Sequence, residues 1–200
     1  MKLILASASP RRAALLRQVK IPFTVVVPEM SEDVSGSLTV HEMVTNLALR
    51  KAHAVSNKVD RGLVLAADTV VLHRGLIMGK PADRNDARLM LSRLSGDKHE
   101  VATGMALVDA ASGRFESAVS VTAVWFKHLS DMEIDAYLMT GDPLDKAGAY
   151  GIQGPAALFV EKIEGCFFNV VGLPLNQLYD LLLRMQMPIW LNRKDCDNDQ

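Results

Sequence analysis

The chain has 200 residues, 49% of them hydrophobic, so it can bury one substantial core and a single domain is the default. A formal net charge of −1 excludes the broad basic surface that a nucleic-acid polymer requires, yet leaves room for a few placed cations around a small phosphorylated ligand. Cys166 and Cys196 stand in unlike contexts, which argues against a disulfide framework, and no apolar stretch approaches the roughly 20 residues of a membrane span, so a soluble cytoplasmic protein is expected.

Leu3-Ile4-Leu5-Ala6 reads as a buried strand that turns through Ser7-Ala8-Ser9 into a helix beginning Pro10-Arg11-Arg12. Ser9 suits the N-cap, and Pro10 the first helical position, where its missing N–H costs nothing. Free N–H groups and the positive end of the helix dipole attract an anion, and two guanidiniums on the first turn point to the same ligand. The bland alternative is a capped surface helix with two solvated arginines.

Phe23 to Val27 is rich in β-branched residues and ends at Pro28, which predicts a second strand. Glu29, Glu32 and Asp33 follow in a polar loop, where carboxylates hold a metal or simply cap and solvate. Thr39 and Glu42 form a capping-box pattern that opens a helix with Val44, Leu47, Ala48, Ala52 and Val55 on its inner face. Arg50 and Lys51 near its middle default to a solvated face.

Leu63 to Leu72 is a continuous apolar run, the pattern of a strand buried on both faces, and Asp68 interrupts it. An unpaired carboxylate there would cost several kcal/mol, so Asp68 must be paired, hydrogen-bonded, metal-bound or facing a cleft. After a turn at Arg74-Gly75 and a short return strand over Leu76 to Met78, Lys80 sits between Gly79 and Pro81 on a constrained backbone.

Asp83 or Asn85 caps the next helix, which buries Ala87, Met90, Leu91 and Leu94 and ends at Gly96. Strands over His99 to Asp109 and Phe115 to Leu129 form a hairpin, the second carrying Val119, Val121, Ala123, Trp125 and Leu129 on one face. Ser130 and Glu133 open a further helix with Ile134, Tyr137 and Leu138 inward, stopped by Gly141-Asp142-Pro143. Leu144 to Pro155 combines small residues with directed polar groups at Asp145, Lys146, Tyr150 and Gln153, as an ordinary glycine-rich connection or a functional loop. Ala157 to Ile163 reads as a strand. Leu173-Pro174 starts a last helix through Leu178, Leu181, Leu182 and Met185, and the tail from Asn192 is polar and expected to be disordered. No Cys/His ligand cluster, Walker loop or dinucleotide fingerprint occurs.

Six segments in this order carry a resemblance: Ser7 to Arg12 with Leu15-Leu16; Ala67 to Val71; Gly79-Lys80-Pro81; Ser95-Gly96 through Thr103-Gly104; Asp145 to Gly154; and Asn169 to Pro174. Over nearly its whole length the chain resembles the Maf family of nucleoside triphosphate pyrophosphatases. The resemblance implies an α/β fold with an elongated, mixed, forked sheet flanked by helices, and two lobes about a central cleft. Residues 1–190 would form this single domain and 191–200 a polar tail. It also implies a homodimer, a divalent cation (Mg²⁺ or Mn²⁺), and hydrolysis of a nucleoside triphosphate to the monophosphate and pyrophosphate.

The segment Asp145-Lys146-Ala147-Gly148-Ala149-Tyr150-Gly151-Ile152-Gln153-Gly154 is similar to the branch acting on dTTP and UTP. The resemblance assigns the catalytic base to Asp68 and specificity to Arg11, Thr69 and Gln153, and adds Glu32, Lys51 and Lys80 to the site. On this reading Ser7, Ser9, Arg11, Arg12, Lys51 and Lys80 bind the triphosphate, and Glu32 and Asp68 hold the metal. Modified pyrimidine nucleotides are further candidate substrates. The competing expectation is a nucleotide-binding regulator of septum formation that uses the same pocket without turnover.

Overall fold

The computed structural model describes residues 2–31 and 38–187. Its centre is a mixed seven-stranded sheet: β1 (Leu3–Leu5), β2 (Phe23–Val25), β3 (Leu63–His73), β4 (Leu76–Met78), β5 (Lys98–Asp109), β6 (Phe115–Phe126) and β7 (Val160–Glu164). The order is β2-β1-β3-β5-β6-β7, with β4 paired to β3. β1 runs parallel to β2 and β3, and the remaining pairs are antiparallel.

One edge of β3 is shared by two strands that never meet. β1 ends with Leu5 opposite Leu65, and β4 ends with Met78 opposite Val71, so residues 66–70 face no partner strand on that side among the described residues. This fork is the expected cleft, and Asp68 lies in its middle. Side chains alternate across a strand, so Asp68 and Thr69 leave the fork on opposite faces of the sheet.

Each face has its own cover. Val64, Ala66, Ala106 and Val108 pack beneath Ala48, Ala52 and Val55 of α2 (Val40–Ser56), which the Thr39/Glu42 capping box opens as anticipated. On the other face Leu63, Leu65, Met105 and Leu107 join the larger core. That core takes Leu15 and Leu16 from α1 (Pro10–Gln18), Leu91 and Leu94 from α3 (Arg84–Leu94), and Ile134 from α4 (Asp131–Met139). α5 (Phe167–Val171) and α6 (Leu175–Arg184) close it with Val171, Leu178, Leu181 and Leu182.

Three local expectations are corrected. β2 stops at Val25 rather than Val27. The strand expected from Ala157 starts only at Val160, because Pro155 opens a 3-10 turn running to Phe159. On β6 the buried positions are Ser120, Thr122, Val124 and Phe126, whereas Val121 is exposed and Ala123 and Trp125 are half-buried. The inner hydroxyl is affordable there because Thr122 Oγ1 accepts the Cys166 N–H at 3.0 Å and an Asn169 amide hydrogen at 2.9 Å. Trp125 turns outward, under the ammonium of Lys162 at 4.6 Å from the ring centroid.

Gly104 lies directly across the sheet from Asp68. A Cβ at this position would stand 2.5 Å from the backbone carbon and oxygen of Val44 on α2, so only glycine lets that helix lie so close to the sheet. Gly104→Ala should lower the unfolding free energy by about 1–3 kcal/mol, the usual cost of overpacking, measured as a shift in urea midpoint at unchanged slope.

Candidate active site

The amino-terminal loop folds as its sequence dictates. Ser9 caps α1 with its hydroxyl accepting the Arg12 N–H, and Pro10 takes the first helical position. The Ser9 N–H donates to Ser7 Oγ at 3.1 Å, which tightens the turn. Arg12 folds back across the loop instead of reaching into solvent. Its Nε donates to the Gly172 carbonyl at 2.8 Å, Nη1 to Ser7 Oγ at 3.3 Å and Nη2 to Thr69 Oγ1 at 3.0 Å. One guanidinium thus joins α1, β3 and the end of α5.

On the opposite face of β3, Asp68 Oδ1 accepts from Lys51 Nζ at 2.5 Å, with the two residues only 8% and 7% exposed. The solvated face anticipated for Lys51 is therefore corrected. Its position on α2 falls on the stripe that also buries Leu47, Ala48 and Ala52, and a lysine in that stripe is tolerated because a carboxylate meets it.

The second glycine-rich segment packs over the other rim. The Gly148 N–H donates to the Gly79 carbonyl at 3.0 Å, and Gly148 has a left-handed φ of 66°. A side chain there would run into Val71 at 2.8 Å. Tyr137 OH donates to Asp142 Oδ2 at 2.6 Å and accepts the Gly151 N–H at 3.2 Å, tying both ends of the segment to α4. Lys146 Nζ bridges Asp142 and Asp145, and Asp145 also accepts from Arg11 Nη1 at 3.0 Å. Tyr150 supplies shape rather than a free hydroxyl, because its OH bonds His99 Nε2 at 2.8 Å beneath the loop.

Ser7, Ser9, Arg11, Arg12, Lys51, Asp68, Thr69, Lys80 and Gln153 all line one cavity of about 750 Å³ at the fork. Every expected site residue among the described ones is thus brought together. Glu32 lies outside the described residues, as does the tail beyond Met187. Lys80 and Gln153 are exposed at the rim, and Lys80 has no ion-pair partner among the described residues.

Three contributors escaped the residue-by-residue reading. The Gly172 carbonyl, Thr103 and Asn169 support Arg12 and Thr69 from behind, and the only trace of them was their place within the Thr103-Gly104 and Asn169 to Pro174 segments.

Two carboxylates, Asp68 and Asp145, face the cleft, and no cluster of three ligating side chains occurs among the described residues. Mg²⁺ commonly takes one or two carboxylates and completes its shell with phosphate oxygens and water. Asp68 accepts from the described residues only at Oδ1, so Oδ2 remains as a hard oxygen donor. The donor set fits a hard divalent cation bound together with a phosphorylated ligand.

These features define a class: a mixed α/β protein with a cation-lined cleft at a sheet fork. Two solved structures share the architecture at low identity. They are a HAM1 protein from Coxiella burnetii (TM-score 0.52, 17% identity, covering 92% of this chain and 99% of that one) and the Staphylococcus aureus Ham1 protein (TM-score 0.52, 12% identity, 92% and 100%). The chain itself belongs to the Maf family, the model described as Maf-like protein matching residues 2–185. Its relatives include the dTTP/UTP pyrophosphatase of Carboxydothermus hydrogenoformans, 50% identical over 179 residues, covering 90% of this chain and 96% of that protein. The dTTP/UTP pyrophosphatase of Salinibacter ruber is 52% identical over 181 residues, covering 90% and 89%.

Burial holds the His99 imidazole neutral, lowering its pKa from 6.5 to about 4. The unfolded chain takes up this proton near 6.5, so the contribution is complete above that pH and is lost as pH falls towards 4. Urea unfolding between pH 7 and 4.5 should show wild-type stability falling more steeply than that of His99→Gln.

Proposed function

We propose that this protein hydrolyses dTTP and UTP, and modified pyrimidine nucleotides of the same shape, to the monophosphate and pyrophosphate. The observation that carries the reading is convergence: Arg11 and Arg12, Lys51 and Lys80, from three separate stretches of chain, line one cleft with the carboxylate of Asp68. A nucleoside triphosphate supplies the negative charge such a cleft lacks. The names of relatives half identical to this chain support turnover over a purely regulatory binding role.

In this mechanism the triphosphate lies against the N-terminus of α1, its oxygens taking hydrogen bonds from Ser7, Ser9 and the two arginines. An incoming phosphate competes with Asp145 for Arg11, whereas Arg12 is already oriented by three fixed acceptors. Lys51 holds the Asp68 carboxylate in one orientation and supplies its counter-charge. Asp68 orients a water and takes its proton as the water oxygen bonds the α-phosphorus. The bond from that phosphorus to its bridging oxygen breaks, and pyrophosphate leaves with charge neutralised by Lys80 and the arginines.

Asp68, with Glu32, would hold the Mg²⁺ or Mn²⁺, whose chemistry is to neutralise and polarise phosphate oxygens. Gln153 at the rim offers both donor and acceptor to a pyrimidine edge. A cytoplasmic homodimer completes the reading. Among the described residues no helix is long and apolar enough to cross a membrane.

Pyrophosphate release from dTTP, UTP, GTP and ATP with Mg²⁺ or Mn²⁺ tests the activity, and preference for the first two is expected. Asp68→Asn should reduce kcat by roughly 10²- to 10⁴-fold, the usual worth of a general base. Circular dichroism must accompany that assay, because the substitution removes a counter-charge from buried Lys51. A folded Asp68→Asn protein with wild-type kcat would dismiss Asp68 as the base. Gln153→Ala should change the ranking of the four nucleotides by kcat/KM, and an unaltered ranking would remove Gln153 from base reading.

A further inference from the structure

Behind Thr69 the polar groups do not end at the cleft wall. Arg12 Nη2 donates to Thr69 Oγ1 at 3.0 Å, and a guanidinium has no acceptor with which to reverse that bond. Thr69 Oγ1 and Thr103 Oγ1 are 2.9 Å apart, and Thr103 Oγ1 donates to the Asn169 carbonyl at 3.2 Å. Thr103 and Asn169 are both wholly buried, at 0% exposure. The Asn169 backbone cannot swing away from this contact. Its side-chain amide donates to the Val101 carbonyl and to Thr122 Oγ1, each at 2.9 Å, and its carbonyl also takes the Gly172 N–H at 2.9 Å.

A hydroxyl carries one hydrogen. With the Thr103 hydrogen on the Asn169 carbonyl, the Thr69–Thr103 bond exists only if Thr69 donates it. The reversed order gives up the bond to Asn169 and forms no other among the described residues, so it makes two contacts where the first order makes three. The chain therefore runs one way: Arg12 to Thr69, Thr69 to Thr103, Thr103 to Asn169. Thr69 reaches the cleft with its hydrogen already used and one lone pair left.

An oxygen in that state accepts and does not donate. Uracil and thymine present an N–H at ring position 3, which it can accept. Cytosine presents a lone pair at the same position, and two lone pairs facing each other leave both without a partner in a partly buried site. We propose that Thr103, which does not itself line the cleft, is a positioning residue for base selection. By taking the Thr69 hydrogen it leaves Thr69 an obligate acceptor, matched to an imide N–H and mismatched to a ring-nitrogen lone pair. This rests on the pyrophosphatase reading and on Thr69 as a base-reading residue, and extends them to a residue outside the cavity.

The test compares kcat/KM for UTP and CTP in wild type, Thr103→Val, Thr103→Ala and Thr103→Ser, with dissociation constants for both nucleotides measured alongside. Valine keeps the shape of threonine and removes the acceptor, and alanine serves should valine disturb the fold. Either frees the Thr69 hydrogen to turn into the cleft, so the UTP:CTP ratio should fall by about tenfold. Serine restores the hydroxyl and should restore the ratio. A general loss of packing would depress both nucleotides together and leave their ratio unmoved, which would overturn the proposal. So would a wild type that treats UTP and CTP alike, or a serine variant that loses the ratio as far as valine does. Wild-type protein that releases no pyrophosphate from UTP would overturn the pyrophosphatase reading instead, and the ratio of dissociation constants would still decide the role of Thr103.

Discussion

The structure depends on a carboxylate kept inside a sheet. Asp68 stands in the long, largely buried strand β3, and Lys51 meets it from α2 with both groups almost wholly covered. Removing Lys51 would leave the buried Asp68 carboxylate without this counter-charge, which is far costlier than the pair is stabilising. Helix and strand must therefore keep their spacing. Gly104 makes that spacing possible from the neighbouring strand, where the Val44 backbone occupies the room a side chain would need.

The fork gives this pair its access to solvent. Had β1 continued four residues further, it would have covered the edge of β3 on which Asp68 and Thr69 lie. Instead β1 turns at Ala6 into the capped start of α1, and β4 picks up the same edge only at Val71. The gap opens both faces of the sheet at once, so neighbours in sequence serve different neighbourhoods. Asp68 meets the lysine of α2, while Thr69 meets the arginine of α1.

On the Thr69 side the support is a hydrogen-bonded relay rather than an ion pair. Arg12 gathers acceptors from Ser7, Thr69 and the end of α5, and the relay continues through Thr103 to an asparagine with no exposed surface. Such networks are stiff because each member has few alternative partners. The second loop is stitched down as firmly, by Gly148 to the Gly79 carbonyl and by Tyr137 to both Asp142 and Gly151. Polar groups of the cleft are thus held before any ligand arrives, which limits the ordering cost of binding.

Much of this was legible in the amino-acid order because its causes are local. Ser9-Pro10, Thr39 with Glu42, and Ser130 with Glu133 mark helix starts through hydrogen bonds spanning three residues. The apolar run around Asp68 announced a strand buried on both faces and a carboxylate in need of a partner. That partner was not legible, since Lys51 looks like any mid-helix lysine until α2 is laid across the sheet. The inward face of β6 was likewise hidden, because the Thr122 hydroxyl is satisfied by the turn and short helix that follow β7. Short-range chemistry determined the elements and the resemblance named the residues to watch. Only the tertiary structure, by closing contacts over 17, 57 and 160 positions of chain, decided which of them touch.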